Sequence, residues 1–111
     1  MKLFGNRKPN TLEISPPDAH AAIGAGSAIL VDVREISEWV EGHIPSTHHI
    51  PLQTLPLRIG ELPRDRTVLV ICRSGNRSLS AARYLQEQGF DTRSIAGGIG
   101  VWATHGLPVT R

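Results

Sequence analysis

The sequence predicts an α/β domain with a mainly parallel sheet and helices on both faces. Two short apolar runs, 28–33 and 67–71, are continuous and rich in β-branched residues. This pattern is typical of strands that are buried on both faces, as in a parallel sheet. Stretches with helical character separate the strand candidates, and the connections between them are short. Alternation of this kind packs helices against a parallel sheet.

Length and composition fit one such domain. The chain has 111 residues, of which 40% are hydrophobic, so a core can form without disulfides. Residues 1–10 carry few large apolar side chains, and we expect a tail there, followed by a single domain over 11–111. No apolar run reaches the roughly 20 residues that span a membrane, and the N-terminus lacks a signal-peptide pattern. We therefore expect a cytoplasmic protein with no membrane partner.

Three further segments are weaker strand candidates. Residues 11–14 alternate between polar and apolar side chains, which suits an edge strand. Residues 48–50 form a short candidate that Pro51 closes, and residues 92–95 form the third. With the two apolar runs, the sequence offers five strands.

Helices are expected between these strands. Ser15 can cap a helix over 16–25, whose first turn holds two prolines and an aspartate. The clearest helix covers 77–88, where apolar residues recur at helical spacing and a glycine follows. The remaining helices are expected over 35–41, over 52–60 with a start or an interruption at Pro56, and over 99–105.

The most informative segment is the loop that contains the only cysteine, Cys72. This residue follows a buried strand, and the carboxyl ends of strands are where α/β sheets bind ligands. Four residues separate Cys72 from Arg77, so the loop can curl around the sulfur and point backbone N–H groups at it. Gly75 permits unusual backbone angles. We expect the amides, the helix N-terminus, and the charges of Arg73 and Arg77 to lower the thiol pKa.

A structural interpretation of Cys72 competes with this one. A lone cysteine after an apolar strand is usually a small core residue. A core residue does not, however, require two arginines, two serines, a glycine and an asparagine within six positions, so the loop favours a reactive thiol. A single cysteine also excludes an intramolecular disulfide and suits a reducing compartment.

Other polar residues give weaker signals. Asp32 and Arg34 lie two residues apart at a strand end, which favours an ion pair, with direct contact between Arg34 and a substrate as the alternative. His43 is expected to be a hydrogen-bonding anchor rather than a general base. The histidines lack metal-ligand spacing, Gly97 and Gly98 do not form a nucleotide loop, and the net charge of +2 is spread along the chain. We expect no metal, no cofactor and no nucleic acid.

Three motifs, in this order and at these spacings, resemble the rhodanese family from about residue 11 to residue 108. The first covers 30–35 and continues through Glu38, Trp39 and residues 42–44. The second is the cysteine loop, 72–78. The third covers 96–98 and is followed by Trp102, whose side chain is expected to pack or to wall the pocket. One departure is Ser46, which stands where the family usually has glycine.

The resemblance implies a five-stranded, mainly parallel sheet whose active-site loop follows the fourth strand. It implies that Cys72 takes a sulfane sulfur from a donor such as thiosulfate and passes it, through a persulfide, to cyanide or a thiol. It also implies that Glu38 braces an arginine. From their place at a strand end, Asp32 and Arg34 are expected to support the site. The residues expected to bind the substrate are Arg73, Ser74, Gly75, Asn76, Arg77 and Ser78.

Two alternative functions remain open at this point. The same loop suits a sulfur carrier or docking module whose donor and acceptor are proteins and whose turnover of small molecules is poor. The related cell-cycle tyrosine phosphatases share the fold but have five residues between cysteine and arginine. The four residues between Cys72 and Arg77 therefore favour sulfur over phosphate chemistry.

Overall fold

The computed structural model describes residues 12–111, so the expected tail over 1–10 lies outside it. Five strands form one sheet in the spatial order β1-β5-β4-β2-β3, and each neighbouring pair is parallel. This confirms the predicted α/β class. The strands are β1 (Glu13–Ile14), β2 (Ala28–Asp32), β3 (His48–His49), β4 (Thr67–Ile71) and β5 (Thr92–Ile95).

Five α-helices connect and flank the strands. Ser15 caps α1, and its hydroxyl accepts a hydrogen bond of 3.2 Å from the Asp18 N–H. The helix expected over 52–60, with a start or an interruption at Pro56, is divided into a 3₁₀ turn, a short α-helix that begins at Leu55 and a second 3₁₀ turn. Pro56 has no N–H to donate, so it fits only in the first turn of that α-helix. The helices are α1 (Pro16–Gly24), α2 (Ile36–Trp39), α3 (Leu55–Arg58), α4 (Asn76–Glu87) and α5 (Gly98–Thr104).

Strand β4 divides the core into two layers. Val68 and Val70 point to one face, where they pack in a cluster with Leu85 of α4. Leu69 points to the other face and packs in a cluster with Trp102 of α5. These side chains are at most 1% exposed. The helices therefore cover both faces, as the uninterrupted apolar run predicts.

The sheet topology determines where the polar residues meet. Because all five strands are parallel, their carboxyl ends lie along one edge of the sheet. The loop with Cys72 leaves β4, the central strand. It lies between the end of β2, which carries Asp32, and the end of β5, which leads into Gly98. No helix between residues 12 and 111 is long and apolar enough to cross a membrane.

Candidate active site

The loop between β4 and α4 wraps around the sulfur of Cys72. The side chain is only 1% exposed, whereas Arg73, Ser74 and Asn76 on the same loop are exposed. The backbone N–H of Gly75 donates to Cys72 Sγ at 3.0 Å. Gly75 has φ of +108°, a left-handed conformation that disfavours side chains, so glycine is needed for this turn toward the sulfur.

Hydrogen bonds tune the ionisation of Cys72. Burial of the sulfur opposes ionisation, but the Ser78 hydroxyl and the backbone N–H groups of Ser78, Gly75 and Ser74 outweigh it, so the pKa of the thiol lies below its ordinary value. The N-terminal turn of α4 supplies part of this donor set. The shift has the direction that the sequence predicts, and the expected contribution of the loop amides is joined by that of the Ser78 hydroxyl.

Arg77 is paired with Glu38 of α2. Two hydrogen bonds, of 2.8 and 2.9 Å, join the guanidinium to the two carboxylate oxygens. The hydrogen bond from Arg77 lowers the pKa of the Glu38 carboxyl to about 2, and the same bond raises the pKa of Arg77. Much of the charge of Arg77 is therefore balanced by Glu38. Arg73 has no ion pair with residues 12–111 and remains the exposed cation of the loop.

Asp32 and Arg34 form a buried ion pair, the arrangement that their spacing favours. Arg34 Nε lies 3.0 Å from both carboxylate oxygens, and Arg34 Nη2 lies 2.8 Å from Asp32 Oδ2. The same guanidinium donates to the Gly42 carbonyl at 2.8 Å. The pair therefore joins the end of β2 to the segment that follows α2. The pair also lies next to Glu38, whose carbonyl oxygen is 3.4 Å from Arg34 Nη1.

A stack of three rings holds α2 in place. The Trp39 indole stacks with both the His43 and the His49 imidazole, with ring centroids 3.8 and 4.7 Å from its own. His43 Nδ1 lies 2.9 Å from the Trp39 carbonyl oxygen, and His49 Nε2 lies 2.7 Å from the Arg34 carbonyl oxygen. Both histidines are thus anchored to backbone carbonyls, the arrangement expected for His43.

Helix α5 supports the loop from its other side. The Ile99 N–H donates to the Cys72 carbonyl at 2.9 Å. Gly98 approaches the loop so closely that an added Cβ would lie 2.6 Å from the Cys72 carbonyl oxygen and closer still to that of Arg73. The sequence singled out Gly98 only as part of a glycine motif. It did not predict that Gly98 allows the backbone of α5 to approach the backbone of the Cys72 loop.

Ser94 of β5 is a second residue that the sequence reasoning missed. Its hydroxyl oxygen lies 2.7 Å from Ser78 Oγ, and both serines are 0% exposed. The sequence did contain one signal for Ser94, because it is a polar residue within a strand whose position in the fold predicts burial. Ser78, which the sequence predicts to bind the substrate, lies close to the sulfur, with its Oγ 3.4 Å from Cys72 Sγ.

A cleft of about 390 Å³ borders the loop. Arg73, Arg34 and Glu38 line it together with Gly42, Ile99 and Val109. Its mixture of charged and apolar walls suits a small polar ligand. Trp102 does not line this cleft. It lines a separate apolar groove of about 220 Å³ and donates to the Pro108 carbonyl at 2.9 Å, which makes it a packing residue.

The family model for the rhodanese-like domain matches residues 15–105 of this chain. The chain belongs to the rhodanese-like family. The matched residues include every strand of the described sheet except β1, together with the cysteine loop and α5. The expected family membership and fold are therefore confirmed.

Curated relatives of this rhodanese-like chain are named sulfurtransferases. The chain is 44% identical over 82 residues to a sulfurtransferase of Allochromatium vinosum, which covers 73% of this chain and 77% of that one. It is 39% identical over 90 residues to the thiosulfate sulfurtransferase GlpE of Pseudomonas syringae, which covers 80% of this chain and 85% of that one. The protein is therefore a rhodanese-like sulfurtransferase, which acts between a sulfur donor and a sulfur acceptor.

Solved structures agree with this assignment. A rhodanese-related protein from Thermoplasma volcanium is similar, with a TM-score of 0.82 and 34% sequence identity, and the match covers 88% of this chain and 96% of that one. A rhodanese-like domain protein from Staphylococcus aureus gives a TM-score of 0.78 at 26% identity, with 89% and 98% of the two chains covered. The fold is shared over nearly the full length of both structures.

Proposed function

We propose that Cys72 carries sulfur as a persulfide between thiosulfate, or another sulfane-sulfur donor, and a thiophilic acceptor such as cyanide or a thiol. The observation that supports this proposal most strongly is the set of hydrogen-bond donors around Cys72 Sγ, led by the Gly75 N–H at 3.0 Å. Such donors stabilise negative charge on the sulfur without needing to reorganise during the reaction. A free thiol also fits the reducing, cytoplasmic compartment that we propose.

The first step is attack by the Cys72 thiolate on the outer sulfur of thiosulfate. A bond forms between Cys72 Sγ and that sulfur, while the sulfur–sulfur bond of thiosulfate breaks. Sulfite leaves with the electron pair of the broken bond. The lowered pKa of Cys72 favours this step, because the thiolate is the nucleophile.

The second step returns Cys72 to its starting state. The acceptor attacks the terminal sulfur of the persulfide with its own electron pair, and the Cys72 thiolate leaves. We propose that the backbone amides between Arg73 and Arg77 stabilise the charge that forms on the persulfide and on the leaving thiolate. No external oxidant or reductant is consumed, because the donor supplies sulfur that is already at the required oxidation level.

The surrounding residues have distinct proposed roles. Arg73 is exposed and forms no ion pair with the described residues, so we assign to it the attraction of an anionic donor. Arg77 is held by Glu38 and positions the start of α4. Asp32 and Arg34 keep α2, and with it Glu38, beside the loop. Ser74, Gly75, Asn76 and Ser78 supply the remaining loop contacts to the bound sulfur.

Thiocyanate formation from thiosulfate and cyanide tests the proposal. We expect activity in the wild-type protein and in Ser80→Ala, a control change at an exposed site on α4. Cys72→Ser should be inactive. Mass spectrometry after exposure to thiosulfate should show one added sulfur atom on the wild type, which cyanide removes. Equal thiocyanate formation by Cys72→Ser would overturn the proposal, whereas a stable sulfur adduct with slow turnover would indicate a protein-to-protein carrier.

A further inference from the structure

A chain of buried hydroxyl groups leads from β5 to the sulfur. Ser94 Oγ lies 2.7 Å from Ser78 Oγ, which in turn lies 3.4 Å from Cys72 Sγ and 3.1 Å from the Gly75 carbonyl oxygen. Both serines are 0% exposed. Water therefore does not reach either hydroxyl from bulk solvent, and their hydrogen bonds must be made within the protein.

Counting protons fixes the direction of the bond between the two serines. Among residues 12–111, the Ser94 side chain has one hydrogen-bond partner, the Ser78 oxygen. A buried hydroxyl that fails to donate is costly, so Ser94 donates its proton to Ser78. Ser78 then has a single proton of its own, which it can give either to the Gly75 carbonyl or to Cys72 Sγ.

The charge on the sulfur decides between these two acceptors. In the thiol state, the S–H of Cys72 donates to Ser78, and Ser78 donates to the Gly75 carbonyl. When Cys72 is a thiolate, it has no proton, so the Ser78 hydroxyl turns toward the sulfur. Ser94 keeps donating in both states. A hydroxyl that accepts a hydrogen bond is a stronger donor itself, so this bond strengthens the one from Ser78 to the thiolate.

We infer that Ser94 is a positioning residue that acts through Ser78 to stabilise negative charge on Cys72. This inference rests on the proposed function, because sulfur transfer needs the Cys72 thiolate as nucleophile and as leaving group. Within residues 12–111, the Ser94 hydroxyl bonds to Ser78 and not to the sulfur. The charged groups around the loop, Arg73, Arg77 and Glu38, are left in place by a change at Ser94.

A purely structural role makes a different prediction. If Ser94 only fills space in β5, its removal lowers the stability of the fold but leaves the titration of Cys72 unchanged. Thr92 offers a matched control on the same strand. It is 1% exposed, and its hydroxyl donates to the Val68 carbonyl at 2.8 Å, away from the sulfur. Thr92→Val thus removes one buried hydroxyl without touching the chain that leads to Cys72.

The test is the pH dependence of Cys72 alkylation by iodoacetamide, which needs no sulfur transfer. We expect Ser94→Ala to move the midpoint upward by about 0.3–0.6 pH unit, a two- to four-fold loss of alkylation rate below the midpoint. Thr92→Val should keep the wild-type midpoint. Ser94→Thr, which retains the hydroxyl, should keep it as well. Urea unfolding of each variant establishes that it is folded at the start of the assay.

A double-mutant cycle shows whether Ser94 acts through Ser78. Ser78→Ala should raise the midpoint further than Ser94→Ala does, and adding Ser94→Ala to Ser78→Ala should produce no additional shift. A Ser94→Ala midpoint that matches Thr92→Val, or a full additional shift in the double variant, would overturn the inference. Absence of thiocyanate formation in the wild type would instead count against the proposed function. The alkylation midpoints would still decide whether Ser94 stabilises the Cys72 thiolate, because alkylation does not depend on sulfur transfer.

Discussion

Replacing Gly98 with alanine probes how α5 supports the active-site loop. Gly98 is buried and has φ of +69°, in the left-handed region that favours glycine. An alanine Cβ would lie 2.6 Å from the Cys72 carbonyl oxygen. The obstructing atoms are backbone, so no side chain can rotate away to make room. The loop around Cys72 must move instead.

The size of the movement follows from the contact distance. To restore an ordinary separation of about 3.4 Å from 2.6 Å at the Cys72 oxygen, the loop has to shift by at least about 0.8 Å, and the closer Arg73 carbonyl oxygen requires a larger shift. A misplacement of about 1 Å at a reacting group can cost about 100-fold in rate, so we expect kcat/KM to fall by roughly 10- to 100-fold. The left-handed backbone adds about 1–2 kcal/mol, and the overlap about 1–3 kcal/mol, to the loss of stability.

Gly106→Ala is the matched control for this substitution. Gly106 has φ of +73°, and an added Cβ there meets no atom within 4 Å. The Gly106→Ala variant should therefore lose only about 1–2 kcal/mol of unfolding free energy, from the left-handed backbone, and should keep its activity. Thiocyanate formation, normalised to the folded fraction from urea unfolding, measures both effects. A kcat/KM for Gly98→Ala within about two-fold of that for Gly106→Ala would refute the reasoning, which relies on a displaced loop.

Two further substitutions test features near the site. The hydrogen bond from Arg77 holds the pKa of the Glu38 carboxyl at about 2 rather than 4.5, and we expect this pair to contribute about 1 kcal/mol after allowance for its partial exposure. Because the folded pKa is depressed, this stability is present above pH 4.5 and is lost as the pH falls through about 2. Urea unfolding should therefore show less acid destabilisation in Glu38→Gln than in the wild type over that range, and equal slopes would contradict the assignment. Ser46 has φ of +61°, so Ser46→Gly should raise the unfolding free energy by about 0.5–1 kcal/mol, and a decrease would show that its left-handed backbone is not strained.

The departure of this chain from its family pattern has a structural meaning at Ser46. The resemblance implies glycine at this position, and the backbone there adopts the left-handed conformation that glycine tolerates best. The sequence showed the substitution but not the angle. The neighbouring Thr47 hydroxyl donates to the Ile44 carbonyl, with 2.6 Å between the two oxygens, and this bond ties the turn together.

The fold and the identity of the loop could be predicted because their signals are local. The run that became β4 is apolar at every position that faces either layer of the core, and Cys72 follows it directly. The helix expected over 77–88 begins and ends within one residue of α4. For these segments, the burial pattern and the flanking residues of a short stretch of sequence are sufficient to predict the element and its ends.

The missed features depend on contacts between distant segments. Ser94 meets Ser78 because β5 pairs with β4 in a register that sets Ser94 beside Val70. Sequence alone does not give this register. The resemblance implied that Glu38 braces an arginine, but it did not say which one, because Arg77 lies 39 residues away along the chain. Gly98 likewise meets the Cys72 loop only after β4 and β5 are aligned.

The short outer strands of the sheet affect how the protein behaves at high concentration. Long, flat, apolar edge strands can recruit strands from other chains and start aggregation. The five-residue apolar strands β2 and β4 would be hazardous in that position, but they lie inside the sheet. In the described part of the chain, each outer strand has only two residues, and Glu13 and His48 expose polar side chains there. The strand order thus allows a very apolar core while offering other chains little backbone to pair with.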